Sequence, residues 1–221
     1  MTFKEKRRQQ TTQKWIPVLI IGALGTVGVV ALYALVPGFQ TIDLVLLLIV
    51  VAFGAMGYNQ GILRVVTTAV MLYVATGVAA TFYPQAAPFT KAIQTTVTLD
   101  WGADVGGSVG RGTLALSFSL LTAIIWVTLE AITRLSFRDT SLPKLGILDK
   151  LGGLVGYLII GIVVVSLAFN LIGYGRSRPV HDKAFLRTGL NQVLYLHYIT
   201  QSFWFPKGPP PIYVYDLRLP R

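Results

Sequence analysis

Residues 15–36 carry no charged side chain, and the same holds for residues 44–63, 65–83, 112–129 and 151–175. A helix rises about 1.5 Å per residue, so about 20 mostly apolar residues cover the roughly 30 Å of a bilayer's hydrocarbon. Inside lipid every backbone N–H and C=O has to be satisfied within the segment itself, which leaves the helix as the solution for runs of this length. The sequence therefore predicts an all-α integral membrane protein with about five transmembrane helices.

Composition agrees. The 221 residues are 53% hydrophobic and 13% charged, with a mean hydropathy of +0.63, whereas a soluble domain carries about 25% charged residues. The net charge of +10 sits in tails and short loops rather than on one folded basic surface, so nucleic acid is not expected as a partner. Anionic lipid headgroups and the acidic surfaces of other membrane subunits are the expected counter-charges. The absence of cysteine excludes disulfides, thiolate catalysis and thiolate metal sites.

In chain order, residues 1–14 form a basic tail with Lys4, Lys6, Arg7, Arg8 and Lys14 against the single acid Glu5, a cytoplasmic flank by the positive-inside rule. Residues 15–36 read as an uncleaved anchor helix, with Pro17 in its first turn. The next span, 42–63, opens on Asp43, carries Gly57 and Gly61 at a small-xxx-small spacing, and meets Arg64 at its far end. A cytoplasmic turn is expected at Tyr58, Asn59, Gln60 and Gly61, the polar break before the third span, 65–83. Arg64 reads as a snorkelling arginine at the interface, with an inward-facing partner role as the other reading.

Residues 84–111 are expected as an external loop. Its GGSVGRG segment lacks the Lys-Ser/Thr ending of a phosphate-binding loop, and no strand precedes it. The fourth span, 112–129, runs into Glu130 and Arg134, spaced for a helical ion pair with the acid first. A polar loop then leads to the fifth span, 151–175, where Gly152 and Gly156 repeat the small-xxx-small spacing. With the N-terminus in the cytoplasm, the inside segments hold ten basic residues against Lys91 and Arg111 outside, and the C-terminus falls outside. Residues 176–221 divide into an amphipathic helix over 182–204, expected to lie on the bilayer surface or on a partner, and an extended stretch, 205–221, rich in proline with Tyr213 and Tyr215. His181 and His197 are the only histidines; they lie in this tail with no carboxylate spacing that suggests a metal site.

The Ile42-Asp43 opening, Gly61 and Arg64 at the other end, and the sequence LDKLGGLVGYLIIGIVVV over 148–165 together resemble the colicin V production protein (CvpA) family of bacterial inner-membrane proteins. The resemblance covers residues 41–175 and implies a four-span core to which the anchor helix is added. It carries a Gly-x-x-Arg motif onto Gly61 and Arg64, an Asp-Arg/Lys-x-x-Gly motif onto Asp149, Lys150 and Gly153, and a further glycine onto Gly161, with Gly156 between them. This chain departs from the family pattern at Val65, where an acid often stands, and at Ile160, where an arginine is common. The anchor helix and the aromatic, proline-rich tail have no counterpart in compact members. The missing acid beside Arg64 favours its role as an anchor.

The family is linked to toxin production or export and to envelope homeostasis in the bacterial cytoplasmic membrane. The two departures remove polar groups from a transport path while the additions supply surfaces for docking. The reading that follows is a non-enzymatic scaffold or accessory subunit that associates laterally with a larger membrane complex, an energy-transducing one among the candidates. A CvpA-like component of toxin or solute export is the alternative. No catalytic, metal or cofactor-binding residues are assigned; contacts of the outer faces with lipid, quinone or pigment stay open. Asp43, Gly57, Gly61, Arg64, Glu130, Arg134, Asp149, Gly153, Gly156 and Gly161 are the motif and packing candidates, and Trp101, Trp204, Tyr213 and Tyr215 the docking candidates.

Overall fold

A computed structural model describes residues 3–97, 110–136, 145–174 and 178–201. They form the helices α1 (Phe3–Leu35), α2 (Thr41–Gly57), α3 (Gly61–Val97), α4 (Arg111–Ser136), α5 (Ile147–Ile172), α6 (Arg178–Lys183) and α7 (Arg187–Gln201), and the protein is all-α. Four of them, within α1, α3, α4 and α5, are long and apolar enough to cross a membrane. α2 is apolar but has 17 residues, about 25 Å of rise, at the lower edge of the length that spans.

Several boundaries differ from those expected. α1 begins at Phe3, so the backbone of the basic tail is helical, and Pro17 stands in the helix interior rather than in the first turn. The span expected over 42–63 closes at Gly57, and the chain turns at Tyr58–Gln60, where the polar break foretold it. α3 does not stop at Tyr83: it runs through Pro84 and Pro88 to Val97, so the first half of the expected external loop is helix. Proline removes a donor but already holds a helical φ, and side-chain bonds to α4, described below, keep this end of α3 in place. The expected single amphipathic helix is two, α6 and α7, broken around Ala184. Trp101, Trp204, Tyr213 and Tyr215, with residues 106–109 of the GGSVGRG segment, lie outside the described residues.

The chain forms two compact units, Met1–Thr67 with Asp139–Ile162, and Thr68–Arg138 with Val163–Arg221. In the first unit α1 lies along α2 through a narrow stripe. Val18 and Val29 are buried there, and a methyl group added at Gly25 would meet Val51 Cγ1 at 2.5 Å. Between Trp15 and Leu35 the other faces of α1, with Trp15, Leu19, Leu24, Val27 and Leu35, are exposed.

In the second unit Ala79, Ala80 and Tyr83 of α3 pack on Phe118 of α4, with Leu114, Leu121 and Leu167 around them. Tyr83 and Phe118 meet edge to face, ring centroids 6.5 Å apart, a geometry aromatic quadrupoles favour. Further along the α3–α4 pair, Thr113 donates to Gln94 Oε1 at 2.9 Å and Ser117 to Thr90 Oγ1 at 2.8 Å. Hydrogen bonds between helices replace the hydrophobic drive that lipid cannot supply. α6 brings His181 onto Phe169 of α5, the rings stacked 4.2 Å apart.

Candidate functional site

In the first unit, the residues singled out by motif converge on one junction. α3 starts at Gly61, whose φ of +75° lies in the left-handed region that glycine adopts without strain. Its first amides have no partner within the helix. The carboxylate of Asp149, in the first turn of α5, fills this gap: Ile62 N–H donates to Asp149 Oδ1 at 2.8 Å. One negative charge thus stands at the N-terminal end of two helices, its own and α3, where both helix dipoles favour it. A side chain at Gly61 would run into the same carboxylate, so backbone conformation and space both require glycine there.

The glycines of α2 and α5 set how closely the helices approach. A Cβ at Gly57 would strike the carbonyl oxygen of Gly153, and one at Gly153 would strike the carbonyl oxygen of Gly57, so backbone faces backbone. Gly152 and Gly156, one turn apart, receive Ile62 and Val65 of α3, while Gly161 receives Phe53 of α2, with an added Cβ 2.9 Å from Phe53 Cβ. Val65, noted as a departure from the family pattern, is therefore a packing residue in the notch over Gly156. α5 also holds the connecting turn: Tyr157 Oη donates to Gln60 Oε1, and Lys150 Nζ lies 5.6 Å from the centre of the Tyr58 ring, in cation–π range.

Two charged residues are buried here as well. Asp43, 0% exposed, accepts from Gln40 N–H at 2.8 Å, the reciprocal half of a capping box, and so fixes the start of α2. Arg64 is 4% exposed. Its head is enclosed by protein, which corrects the expectation of a snorkelling anchor and favours the inward-facing reading.

The sequence of the joined segments decides the family. A profile described as "Colicin V production protein" matches residues 42–194. This chain belongs to the colicin V production protein family. A search among curated proteins finds no match, and neither does one among solved structures. The family region runs to Leu194, beyond the expected limit at 175, so α6 and half of α7 belong to it and only the end of the tail is additional. α1 lies wholly outside it. The two motifs that signalled the family, Gly61 with Arg64 and Asp149 with Gly153, are the two sides of one junction.

In the second unit Glu130 and Arg134 pair as their spacing predicts, Arg134 Nε donating to Glu130 Oε1 at 3.1 Å; Thr68 of α3 donates to the other carboxylate oxygen at 3.2 Å. A polar cluster that sequence reasoning passed over sits between α3 and α7. Thr76 Oγ1 donates to the helix carbonyls before it and accepts from Gln201 Nε2 at 2.5 Å, while Gln201 also donates to Tyr73 O at 2.9 Å. His197 Nε2 lies 3.1 Å from the same hydroxyl. With that hydroxyl's proton directed to the helix, the ring nitrogen is assigned as the donor. Burial pushes the His197 pKa below its ordinary value, which keeps the ring neutral. Burial does the same to His181, against the opposing pull of Asp182.

α7 thus buries Leu190, Leu194 and Gln201 and leaves Leu196 and Ile199 exposed. The polar groups face the protein and part of the apolar surface faces out, so hydrophobic spacing alone could not choose its inner face. The signal was His197 and Gln201, four apart and in register with Leu190 and Leu194. Among the described residues no group of three or more His, Asp or Glu side chains is placed to hold a metal ion.

Proposed function

We propose that this multi-pass membrane protein is a non-enzymatic accessory subunit that associates laterally, through α1, with a larger complex in the bacterial cytoplasmic membrane. The observation that carries this reading is the contrast between α1 and the junction. The glycine faces of α2 and α5, which sequence spacing offers as docking surfaces, are consumed by internal packing. From Trp15 onward α1 is attached along one stripe, a Cβ added at Gly28 would meet nothing within 4 Å, and the helix lies outside the family region. An open small-residue position on an apolar helix suits close approach by a partner's helix.

Membership in the family suggests a role in toxin production or the envelope. That favours the second reading, a component of toxin or solute export in which the buried Asp43 and Arg64 serve a path for solute. Asp43, however, is engaged in capping α2, and the Asp149 carboxylate in capping α3.

Purification of the full chain in mild detergent tests the first reading. It predicts a stoichiometric membrane partner that is lost when residues 1–38 are removed while the remaining helices stay folded by circular dichroism. A clean monomer or homo-oligomer would overturn it. The export reading predicts a solute flux abolished by Arg64→Ala or Asp43→Ala in protein that remains folded.

A further inference from the structure

Both faces of α7 change polarity halfway along the helix. The face set against the protein carries Leu190, Leu194, His197 and Gln201, spaced i, i+4, i+7 and i+11; its first two residues are apolar and buried, and its last two are polar. The opposite face carries Thr188, Gln192, Leu196 and Ile199, spaced i, i+4, i+8 and i+11, all four exposed. There the polar pair comes first and the apolar pair second. A helix packed on a protein in water buries apolar residues and presents polar ones. In hydrocarbon the preference is reversed, because a polar group without a partner is costly there and an apolar one is not. α7 follows the rule for water over its first half and the rule for lipid over its second. A helix lying flat at the headgroup boundary would carry one apolar face along its whole length, and neither of these faces does.

The partners of α7 on α3 place its second half at depth. They are Tyr73 and Thr76, which stand within the uncharged stretch 65–90 between Arg64 and Lys91. About 20 residues cross the hydrocarbon, and every run of that length within the stretch includes both Tyr73 and Thr76. The polar groups that α7 brings to them are paired inside the protein. Gln201 Nε2 donates to Tyr73 O and to Thr76 Oγ1, and His197 Nε2 meets the same hydroxyl. Thr200, exposed beside Ile199, donates its hydroxyl to His197 O at 2.7 Å. Tyr73 Oη donates to Thr200 O, one of the last four carbonyls, which a helix leaves without an internal partner. Water can serve such a carbonyl at a surface; in lipid a side chain has to. The charge of α7 is confined to its first residue, Arg187, whose guanidinium donates to Asp182 O at 3.2 Å.

We propose that α7 is a half-inserted helix: it starts among the lipid headgroups at Arg187 and carries its second half into the hydrocarbon, with Leu196 and Ile199 against acyl chains and His197 and Gln201 held on α3. This replaces the arrangement along the bilayer surface that the sequence suggests.

The test places a nitroxide at single positions of the full chain, Gln192→Cys, Leu196→Cys and Ile199→Cys. All three are exposed, so the label displaces no packed side chain, and the chain has no cysteine of its own. In nanodiscs of phosphatidylcholine and phosphatidylglycerol, the relaxation of each label is measured with oxygen, which concentrates in hydrocarbon, and with a water-soluble nickel chelate. Access to nickel is expected at 192 and its loss at 196 and 199, where access to oxygen rises. The depth should grow by up to about 10 Å over the seven residues from 192 to 199. Equal depth at the three positions would overturn the proposal in favour of a helix lying flat, and nickel access at 199 would overturn it in favour of water. Exclusion of both reagents at 196 and 199 would overturn acyl chains as the occupant and mark a contact with a second copy of the chain. A reading without a label comes from charge: Ile199→Arg is expected to lower the thermal midpoint in the nanodisc well below that of Gln192→Arg, because a charge is costly in hydrocarbon. Equal midpoints would again overturn the insertion.

Discussion

Asp149 Oδ1 lies 2.8 Å from the amide nitrogen of Ile62, 87 positions earlier in the chain. This single bond ties the first turn of α5 to the first turn of α3 and gives a structural reason for two short motifs that the sequence shows as unrelated. Asp149→Ala removes the acceptor and leaves the Ile62 amide with one partner fewer in a part-buried place, at a cost of about 1–3 kcal/mol. Asp149→Asn keeps an acceptor oxygen and loses the charge that the two helix ends favour, so its cost is smaller. Unfolding midpoints of the two variants in the same detergent check the order: wild type highest, Asn next, Ala lowest.

The backbone contact between Gly57 and Gly153 predicts a second ranking. Gly153→Ala places a methyl group against the Gly57 carbonyl oxygen and within 3.0 Å of the Gly61 backbone, where no flexible side chain can give way. Overpacking of this kind costs about 1–3 kcal/mol. Gly189, inside α7, has nothing within 4 Å of an added Cβ, so Gly189→Ala should be neutral or stabilising by up to about 1 kcal/mol, because alanine is the better helix former. Thermal unfolding that found the two substitutions alike would refute the close-packed junction.

Thr76 accepts from Gln201 and lies within hydrogen-bond distance of His197. Thr76→Val therefore removes the hydroxyl partner of the part-buried His197 Nε2 and one of the two acceptors of Gln201 Nε2, which keeps Tyr73 O, whereas Thr81→Val, at an exposed position on the same helix, strands no donor. The first should loosen α7 by about 2 kcal/mol or more, and the second should leave it in place. A nitroxide attached at Gln192→Cys reads the difference as a gain in probe mobility, and the absence of natural cysteine makes the label specific.

Acid should produce the same loosening. Burial lowers the His197 pKa in the folded protein, so the undocked or unfolded chain, with a histidine pKa of about 6.5, binds the proton more readily. The docking free energy is complete above that value. It is lost as pH falls below about 6.5 and on through the lowered folded-state pKa, and no further loss comes from this group once both states are protonated. The nitroxide at position 192 should gain mobility over that interval, and His197→Gln should remove most of the dependence. The part that persists belongs to His181, whose pKa burial also lowers. An identical pH profile in the His197→Gln protein would exclude His197 as the responsive group.

The sequence by itself determined that the chain is a helical membrane protein, because uncharged runs of 18 to 25 residues leave the backbone no other way to satisfy its hydrogen bonds in lipid. It also placed the turn at Tyr58–Gln60, paired Glu130 with Arg134, and marked the family through residues at both sides of the junction. These are local facts, set by spacing along one helix or by the polarity of a few neighbours.

Tertiary structure decided the rest. Gly57 and Gly153 are equally small in any arrangement of helices; which backbone each one meets depends on packing. Arg64 could turn outward or inward on the same helix, and only the enclosing protein decides. α3 continues past Pro84 because Thr90 and Gln94 find Ser117 and Thr113 on another helix, and α7 turns His197 and Gln201 inward because Thr76 is there to receive them. In lipid, apolar residues are solvated on either side of a helix, so hydropathy carries little information about which face is buried. Polar partners and close-fitting glycines supply it, and those become visible when helices distant in the chain are brought together.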